Sequence, residues 1–446
     1  MNEKNYKYHA GTLKYTTASL FMLFFWLLIG GFFFNMMDRL FPVLMPLQLK
    51  GFEASNQAIG LIVGSIPSIL NTVLNPPISF RSDRTRSKWG RRVPYMLAAT
   101  PFVTVTLILI GWSAQIGDFV AALCNNAIGG KAAGFVAITI FAVIYQIFYM
   151  VVGSVFWYFF ADVVPEKFMS RFMACFNLTG QLSYFLFQKY ALKYAEGNME
   201  MIYTVLALLY GIFFTLMCLM VKEGEYPPVD ENEEKINILR DIKTYCVECF
   251  SRPFYLFFFL GTALNAVSMV CGNLFNIFFA KENIGLTVEQ FGDINGNIAF
   301  VLIFFCLPMG YLADKLHPLR VYLASIVMVV TANIYGYFCA VDELSYIIVT
   351  SIVQFCYMMQ GAACIPTFVA ILPKSRYGQF CSAQAIFNSV LLIVANWGGG
   401  LFIDLTGNYR NLYLWDAFFT TLALLAMIAV WIGWKKFGGI KNYIAP

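Results

Sequence analysis

Three polar residues interrupt the first long apolar run of the chain: Asn35, Asp38 and Arg39, spaced three and four apart. That spacing puts them on neighbouring lines of one helix. A full charge near the centre of a membrane helix costs about 2.5–3.5 kcal/mol on insertion scales, so such charges mark function by default. Asp38 is the candidate proton carrier. Desolvation raises a carboxyl pKa and a nearby guanidinium lowers it, so a site that alternately dries and wets can load a proton on one side and release it on the other. Adjacent residues point about 100° apart on a helix, so Asp38 and Arg39 need not bond each other. They read as the only full charges well inside a spanning run. The competing reading is a structural ion pair that holds this helix against a neighbour.

Amides and rings recur at helical spacing in other apolar runs. The fourth run carries Gln146, Tyr149, Gly153 and Trp157; the seventh carries Asn265, Ser268, Gly272 and Asn276; the tenth carries Gln354, Tyr357 and Gly361. The fifth adds Asn177 and Gln181, and the eleventh Gln384 and Asn388. Amides both donate and accept, and rings cover an apolar face, so the set suits a neutral ligand with many hydroxyls, such as a sugar. Polar side chains that merely glue helices together are the alternative. Stripes on every third helix favour a shared binding chamber.

The elements that position these residues are membrane helices. Of 446 residues, 59% are hydrophobic and 12% charged, against about a quarter charged in soluble domains. Twelve runs are long enough to span, near residues 18–48, 56–80, 94–115, 134–160, 172–190, 200–221, 254–280, 288–313, 319–340, 344–371, 384–403 and 411–434. The expected fold is an all-α membrane protein of twelve transmembrane helices in two pseudo-symmetric six-helix bundles. Residues 1–221 form the first bundle, 222–253 a cytoplasmic linker and 254–446 the second. Residues 81–94, RSDRTRSKWGRRVP, hold six basic residues and must form a loop. Of the 30 basic residues, 23 fall on the side of that loop and 6 on the other, which puts both termini in the cytoplasm of a cell (inner) membrane protein. The net charge of +5 thus reflects topology and not nucleic acid binding. Residues 116–135 form an outer connection with a possible short helix, of no assigned role. Cys246 and Cys249 make a lone CxxC, weak evidence for zinc, and no metal or cofactor is expected.

The two halves repeat one layout. Paired glycines, Gly60 and Gly64 in the second run and Gly292 and Gly296 in the eighth, precede Asp83 and Asp314. DVVPEKFMSRF after the fourth run and ILPKSRYGQF after the tenth share a proline seven residues before a phenylalanine. Two related halves of this kind describe a rocking transporter with its site between them near the midplane.

The order Ser79-x-x-x-Asp83-Arg84, then Gly90-Arg91-Arg92 and a proline, resembles the loop signature of the major facilitator superfamily, G-x-x-x-D-R-x-G-R-R, with Ser79 in place of its first glycine. The longer SDRTRSKWGRRVPY, with DVVP at residues 162–165, is similar to the sucrose/proton symporters and the glycoside–pentoside–hexuronide symporters. The resemblance implies a cytoplasmic latch made by Asp83, Arg84, Arg91 and Arg92, with Asp162 and Arg171 in the same charge network and Asp314 as the second half's acid. It also implies an acid in the first helix, a part Asp38 would play. Melibiose-type sodium symporters carry acids on the second helix; this chain has none there, which points to protons.

The expected function is import of a di- or oligosaccharide or glycoside by proton symport through alternating access, by a monomer whose partners are the sugar, the proton and the lipid bilayer. Export of another solute, or sodium coupling, is the alternative. Exporters of this superfamily carry a Gly- and Pro-rich fifth helix, whereas RFMACFNLTGQLSYFLF has one glycine and no proline. No set of residues suggests an enzyme. A transporter-like sensor without flux fits the same residues.

Overall fold

A computed structural model describes residues 6–125, 127–226 and 249–446. Among the described residues, ten helices are long and apolar enough to cross a membrane. They are α1 (Thr17–Gly51), α2 (Asn56–Arg84), α3 (Val93–Gly111), α4 (Gly130–Val163), α6 (Met199–Met220), α7 (Pro253–Ile284), α9 (Pro318–Cys339), α10 (Glu343–Ile371), α11 (Tyr377–Thr406) and α12 (Tyr409–Lys436). Two further long helices, α5 (Glu166–Leu186) and α8 (Val288–Leu316), occupy the fifth and eighth expected runs. Helix α5 is the more polar of the two, carrying Glu166, Lys167 and Arg171 in its first turns. Helices are the form such runs must take, since a backbone in hydrocarbon has to satisfy its own hydrogen bonds.

Contacts divide the chain into two compact units, Met1–Ala54 with Ile69–Asn232, and Ser55–Ser68 with Glu233–Pro446. Helix α2 therefore belongs to both. Its first turns, including a widened π turn at Leu61–Ser65, pack with the second unit, and its later turns with the first. In the first unit α1 packs on α5 and α6, and α3 on α4 and α6; in the second, α7 packs on α11 and α12, and α9 on α10 and α12. Apolar lipid offers helices no hydrophobic drive to associate, so tight van der Waals packing and interhelical hydrogen bonds must hold them. The rings supply much of it. Phe156, Phe160, Phe172, Phe176 and Phe214 interlock in the first unit. Tyr255, Phe258, Phe259, Tyr322, Phe380 and Trp434 are buried together in the second, with Cys249.

Two features outside the spans are informative. Residues 113–123, read from sequence as part of a span and an outer connection, form a short helix, Ser113–Leu123, against α4. Near the N-terminus, Tyr8–Ala10 and Leu13–Tyr15 pair as an antiparallel hairpin. Tyr15 donates its hydroxyl to the carbonyl of Val163 at 3.0 Å, and Thr12 Oγ1 accepts the Glu225 amide at 2.8 Å. The hairpin is thereby tied to the end of α4 and to the segment after α6.

Candidate functional site

Helix α1 presents two working lines. Along one, Phe34 stacks on Tyr149 (5.5 Å, 12°) and Phe41 on Tyr145 (5.1 Å, 17°), while Tyr145 and Tyr149 stack on each other (5.3 Å, 14°). Four near-parallel rings thus bridge α1 and α4. Asp38 lies between Phe34 and Phe41 in sequence, and its Oδ1 accepts the Tyr149 hydroxyl at 3.2 Å. Along the other line, Asn35 stands against Gly180 of α5, and the Arg39 guanidinium lies 5.3 Å from the Tyr184 ring centre, within cation–π range. The two charges therefore face different helices, as helical geometry requires. Both are exposed, and no ion pair holds either among the described residues.

Nearby, Gln146 is buried, Gln181 half-buried and Asn177 exposed. Trp157 is exposed and stands edge-on to Phe160 (5.9 Å) and Phe176 (5.4 Å). Among the described residues, none of the three amides has a protein partner. The first unit thus brings a carboxylate, a guanidinium, rings and uncommitted amides to α1, α4 and α5.

The second unit treats its amides differently. Asn265 and Gln360 form a reciprocal pair, each amide nitrogen 2.9 Å from the other's oxygen. Gln354 donates to Asn295 Oδ1 at 2.7 Å, and Asn276 donates to the Tyr346 hydroxyl at 3.3 Å. Gln384 donates to Thr262 Oγ1 at 3.3 Å, while Asn388 Oδ1 is buried without a partner among the described residues. Much of this unit's hydrogen-bonding capacity is already used in joining helices. Tyr357 donates its hydroxyl to Asp416 of α12, whose other oxygen accepts Thr420 Oγ1 at 2.8 Å. Asp416 is 4% exposed. It corrects the sequence expectation that Asp38 and Arg39 are the only charges well inside a span. Near the end of an apolar run, among Leu, Tyr and Phe, it reads as a boundary charge; only the packing of α7, α9 and α10 around it buries it.

The basic loop folds into a charge cluster at one end of the first unit. Arg91 grips Asp162 with Nε (3.0 Å) and Nη2 (2.5 Å), and Arg92 Nε adds a third contact at 3.1 Å. Arg92 also pairs with Asp83 and donates to Ser82. Arg92 is buried, whereas the Asp83 side chain is 52% exposed. Bidentate guanidinium–carboxylate geometry is among the stronger polar contacts available, and the hydrogen bond to Asp162 raises the Arg91 pKa further. Arg84 lies over the Phe80 ring at 4.0 Å and Arg171 over the Phe168 ring at 5.7 Å; Arg171 is not among the partners of Asp162. The side chain of Asp314 and the whole of Cys246 lie outside the described residues.

Sequence reasoning missed Glu223 in this cluster. Its Oε2 accepts the Arg91 amide at 2.8 Å, and its Oε1 those of Arg92 (2.8 Å) and Val93 (2.7 Å). A carboxylate there satisfies the orphan donors at the start of α3 and meets the positive end of its dipole. Tyr226 adds its ring 4.1 Å from the Arg91 guanidinium. The only signal was an acid directly after the sixth run, with nothing local to show its target.

A second polar cluster occupies the start of α2. Asp404 of α11 accepts the Asn56 amide (3.1 Å), the Asn56 side chain (2.8 Å) and the Gln57 amide (2.8 Å), and Tyr409 donates to Asn56 Oδ1 at 2.9 Å. The backbones approach so closely that a Cβ on Gly60 would collide with the Asn396 carbonyl, and one on Gly400 with that of Asn56. Ser65 then donates to the Ile393 carbonyl at 2.6 Å. Gly60 and Gly64, read from sequence as half of a repeat, are thus where α11 lies against α2.

A stretch of 49 residues is 43% identical to the sucrose transport protein SUT1 of Oryza sativa subsp. japonica. It covers 11% of this chain and spans only 9% of the length of that relative. The structure resembles nucleoside transporter NupG (TM-score 0.65, 16% identity, 92% of this chain and 99% of that one). It also resembles peptide transporter POT in complex with sulfate (TM-score 0.66, 13% identity, 95% of each chain). A bacterial homologue of the human lysosomal transporter Spinster, in an inward-facing and unoccupied conformation, gives a TM-score of 0.64 at 14% identity over 94% of this chain and 96% of that one. At such identities the likeness speaks for the fold, that of the major facilitator transporters. Ten apolar helices with that fold make this a multi-pass membrane protein. Residues 27–401 match the family described as MFS/sugar transport protein, and a match running through most of the chain means that the protein belongs to this family of membrane transporters.

Proposed function

We propose that the protein is a secondary transporter that imports a sugar, of the di- or oligosaccharide or glycoside class, together with a proton, by alternating access. The observation that carries this reading is the α1 face. Asp38 keeps one oxygen on the Tyr149 hydroxyl and leaves the other open, beside Arg39 and a four-ring stack. A sugar offers hydroxyls to the carboxylate, the guanidinium and the amides of Asn35, Gln146, Asn177 and Gln181, and an apolar face to Tyr149 and Trp157. In the second unit Asn265, Asn276, Gln354, Tyr357, Gln384 and Asn388 complete the proposed lining, of which Asn388 has the uncommitted buried oxygen. The short likeness to a sucrose transport protein supports a sugar among the substrates open to this family.

Proton coupling follows from chemistry at Asp38. Protonation removes its charge and gives Tyr149 and the sugar a different hydrogen-bond partner, so sugar and proton can favour one another's binding. Asp83, Arg84, Arg91, Arg92, Asp162, Arg171 and Asp314 would form the gate at the cytoplasmic end. Their charges attract one another across a closed crevice, and hydrate at modest cost when it opens. In this reading both termini are cytoplasmic, the membrane is the cell (inner) membrane, the bundles are residues 1–221 and 254–446, and the monomer transports.

The test is uptake of radiolabelled disaccharides into proteoliposomes with and without an inward proton gradient. The gradient should drive accumulation, and Asp38→Asn should abolish it while leaving sugar exchange between equal concentrations. Full gradient-driven accumulation by Asp38→Asn would remove Asp38 from coupling.

A further inference from the structure

Asp416 takes no part in the sugar contacts proposed above. It is fully enclosed, yet no lysine, arginine or histidine bonds it among the described residues. A buried carboxylate without a cation is costly, because neutral dipoles alone must replace its hydration. Its partners, Tyr357 and Thr420, share a special property: a hydroxyl both donates and accepts. With Asp416 ionised, both hydroxyls donate to it. With Asp416 protonated, its own O–H donates to one of those oxygens while the other hydroxyl continues to donate. The pocket satisfies either form without moving a helix.

The neighbours leave the proton few alternative homes. Helix α7 contributes Ser268 and Cys271, α9 contributes Asn333, and α10 contributes Tyr357. Helix α12 itself adds Tyr413, beyond which stands Arg410. Arg410 is committed elsewhere, donating to the Tyr337 carbonyl at 3.0 Å and lying 5.9 Å from the Phe279 ring centre. Phenols and a thiol hold their protons more firmly than a carboxyl does. Asp416 is therefore the group in this pocket that exchanges one.

We propose that Asp416, with Tyr357 and Thr420, is a proton-binding site of the second unit, distinct from Asp38. The step is simple: the carboxylate takes H⁺ from hydronium and water is left, and the reverse step returns the proton. Tyr357 bonds the carboxyl from α10, whose neighbouring turns reach α8 through the Gln354–Asn295 bond and α7 through the Gln360–Asn265 bond. The charge on Asp416 thus bears on how firmly α10 is tied to α12. This link to the cycle rests on the transport reading, whereas protonation itself does not.

The experiment is pH-difference infrared spectroscopy of the purified full-length protein in lipid, which reads protonated carboxyl groups directly and needs no substrate. The wild type should show a carbonyl band of a protonated carboxyl that disappears in Asp416→Asn. Tyr357→Phe, which keeps the acid and removes one donor, should move the band and its midpoint to higher pH. Both variants should keep the wild-type helical circular dichroism. A band set unchanged by both variants, or a wild-type Asp416 that stays in one form across the stable pH range, would overturn the proposal. Uptake failing in the wild type would count against the sugar symport reading and leave the spectroscopic result standing.

Discussion

The Asp404→Asn substitution asks how firmly the first turn of α2 is held. Asp404 accepts two backbone amides and one side-chain amide there, at the positive end of a helix. Asparagine keeps the shape and one carbonyl oxygen, which still serves Asn56. The other oxygen becomes an NH₂ that faces the Gln57 amide, donor against donor. One charge-assisted bond, worth about 1.5–3 kcal/mol, is lost, with a helix-end charge worth about 0.3–1 kcal/mol. Asp404 is exposed, so solvent screens part of this, and the net loss is about 1.5 kcal/mol. That is roughly a tenfold shift toward states in which α2 leaves α11. Spin labels at Ala58 and Leu405, with the exposed Cys124 and Cys175 replaced, read the separation by pulsed electron resonance. The longer-distance population should rise about tenfold over the wild type by the same energy. An unchanged distance distribution in a folded Asp404→Asn protein would refute the view that this acid restrains α2.

Two further outcomes follow from groups outside the spans. Glu223→Ala strands three amides at the start of α3 and should lower the melting temperature clearly, at a cost of about 2 kcal/mol; Glu223→Gln keeps one acceptor oxygen and should lose about half of that. Equal melting of all three proteins by scanning fluorimetry would contradict the capping role. His317, before α9, is half-buried against Trp434 (ring centres 4.8 Å apart), and burial, then the charge of Arg320, lowers its pKa below the ordinary histidine value of 6.5. The unfolded chain therefore binds this proton more readily, so stability should be complete above about pH 6.5 and decline below it. His317→Gln should flatten that acid decline in a pH series of thermal melts; an unaltered slope would show that the histidine does not contribute.

Much of the architecture was legible because lipid imposes a severe rule on sequence. Runs of apolar residues, a charge-dense loop and the Asp83–Arg92 pattern follow from where water is and is not, and each is local in the chain. Asp38 and Arg39 stood out for the same reason: a charge amid apolar residues is visible without a fold. The hairpin at Tyr8–Tyr15 was not legible, because its strands are three residues each and it is tied down by distant partners, Val163 and Glu225.

Only tertiary structure could decide which polar groups are already spent. Spacing alone treats Asn265 and Asn177 alike, yet one is locked to Gln360 while the other has no protein partner among the described residues. Glu223 and Asp404 look like ordinary acids near helix ends until the fold aims them at helix starts 130 and 348 residues away. Asp416 looks like a boundary charge until three helices enclose it. The sequence by itself determined which segments are apolar enough to cross a bilayer, because transfer from water to hydrocarbon acts on each segment separately. The pairing of polar groups depends on which helices meet and on the few ångströms between them, and that is a property of packing, which no single segment carries.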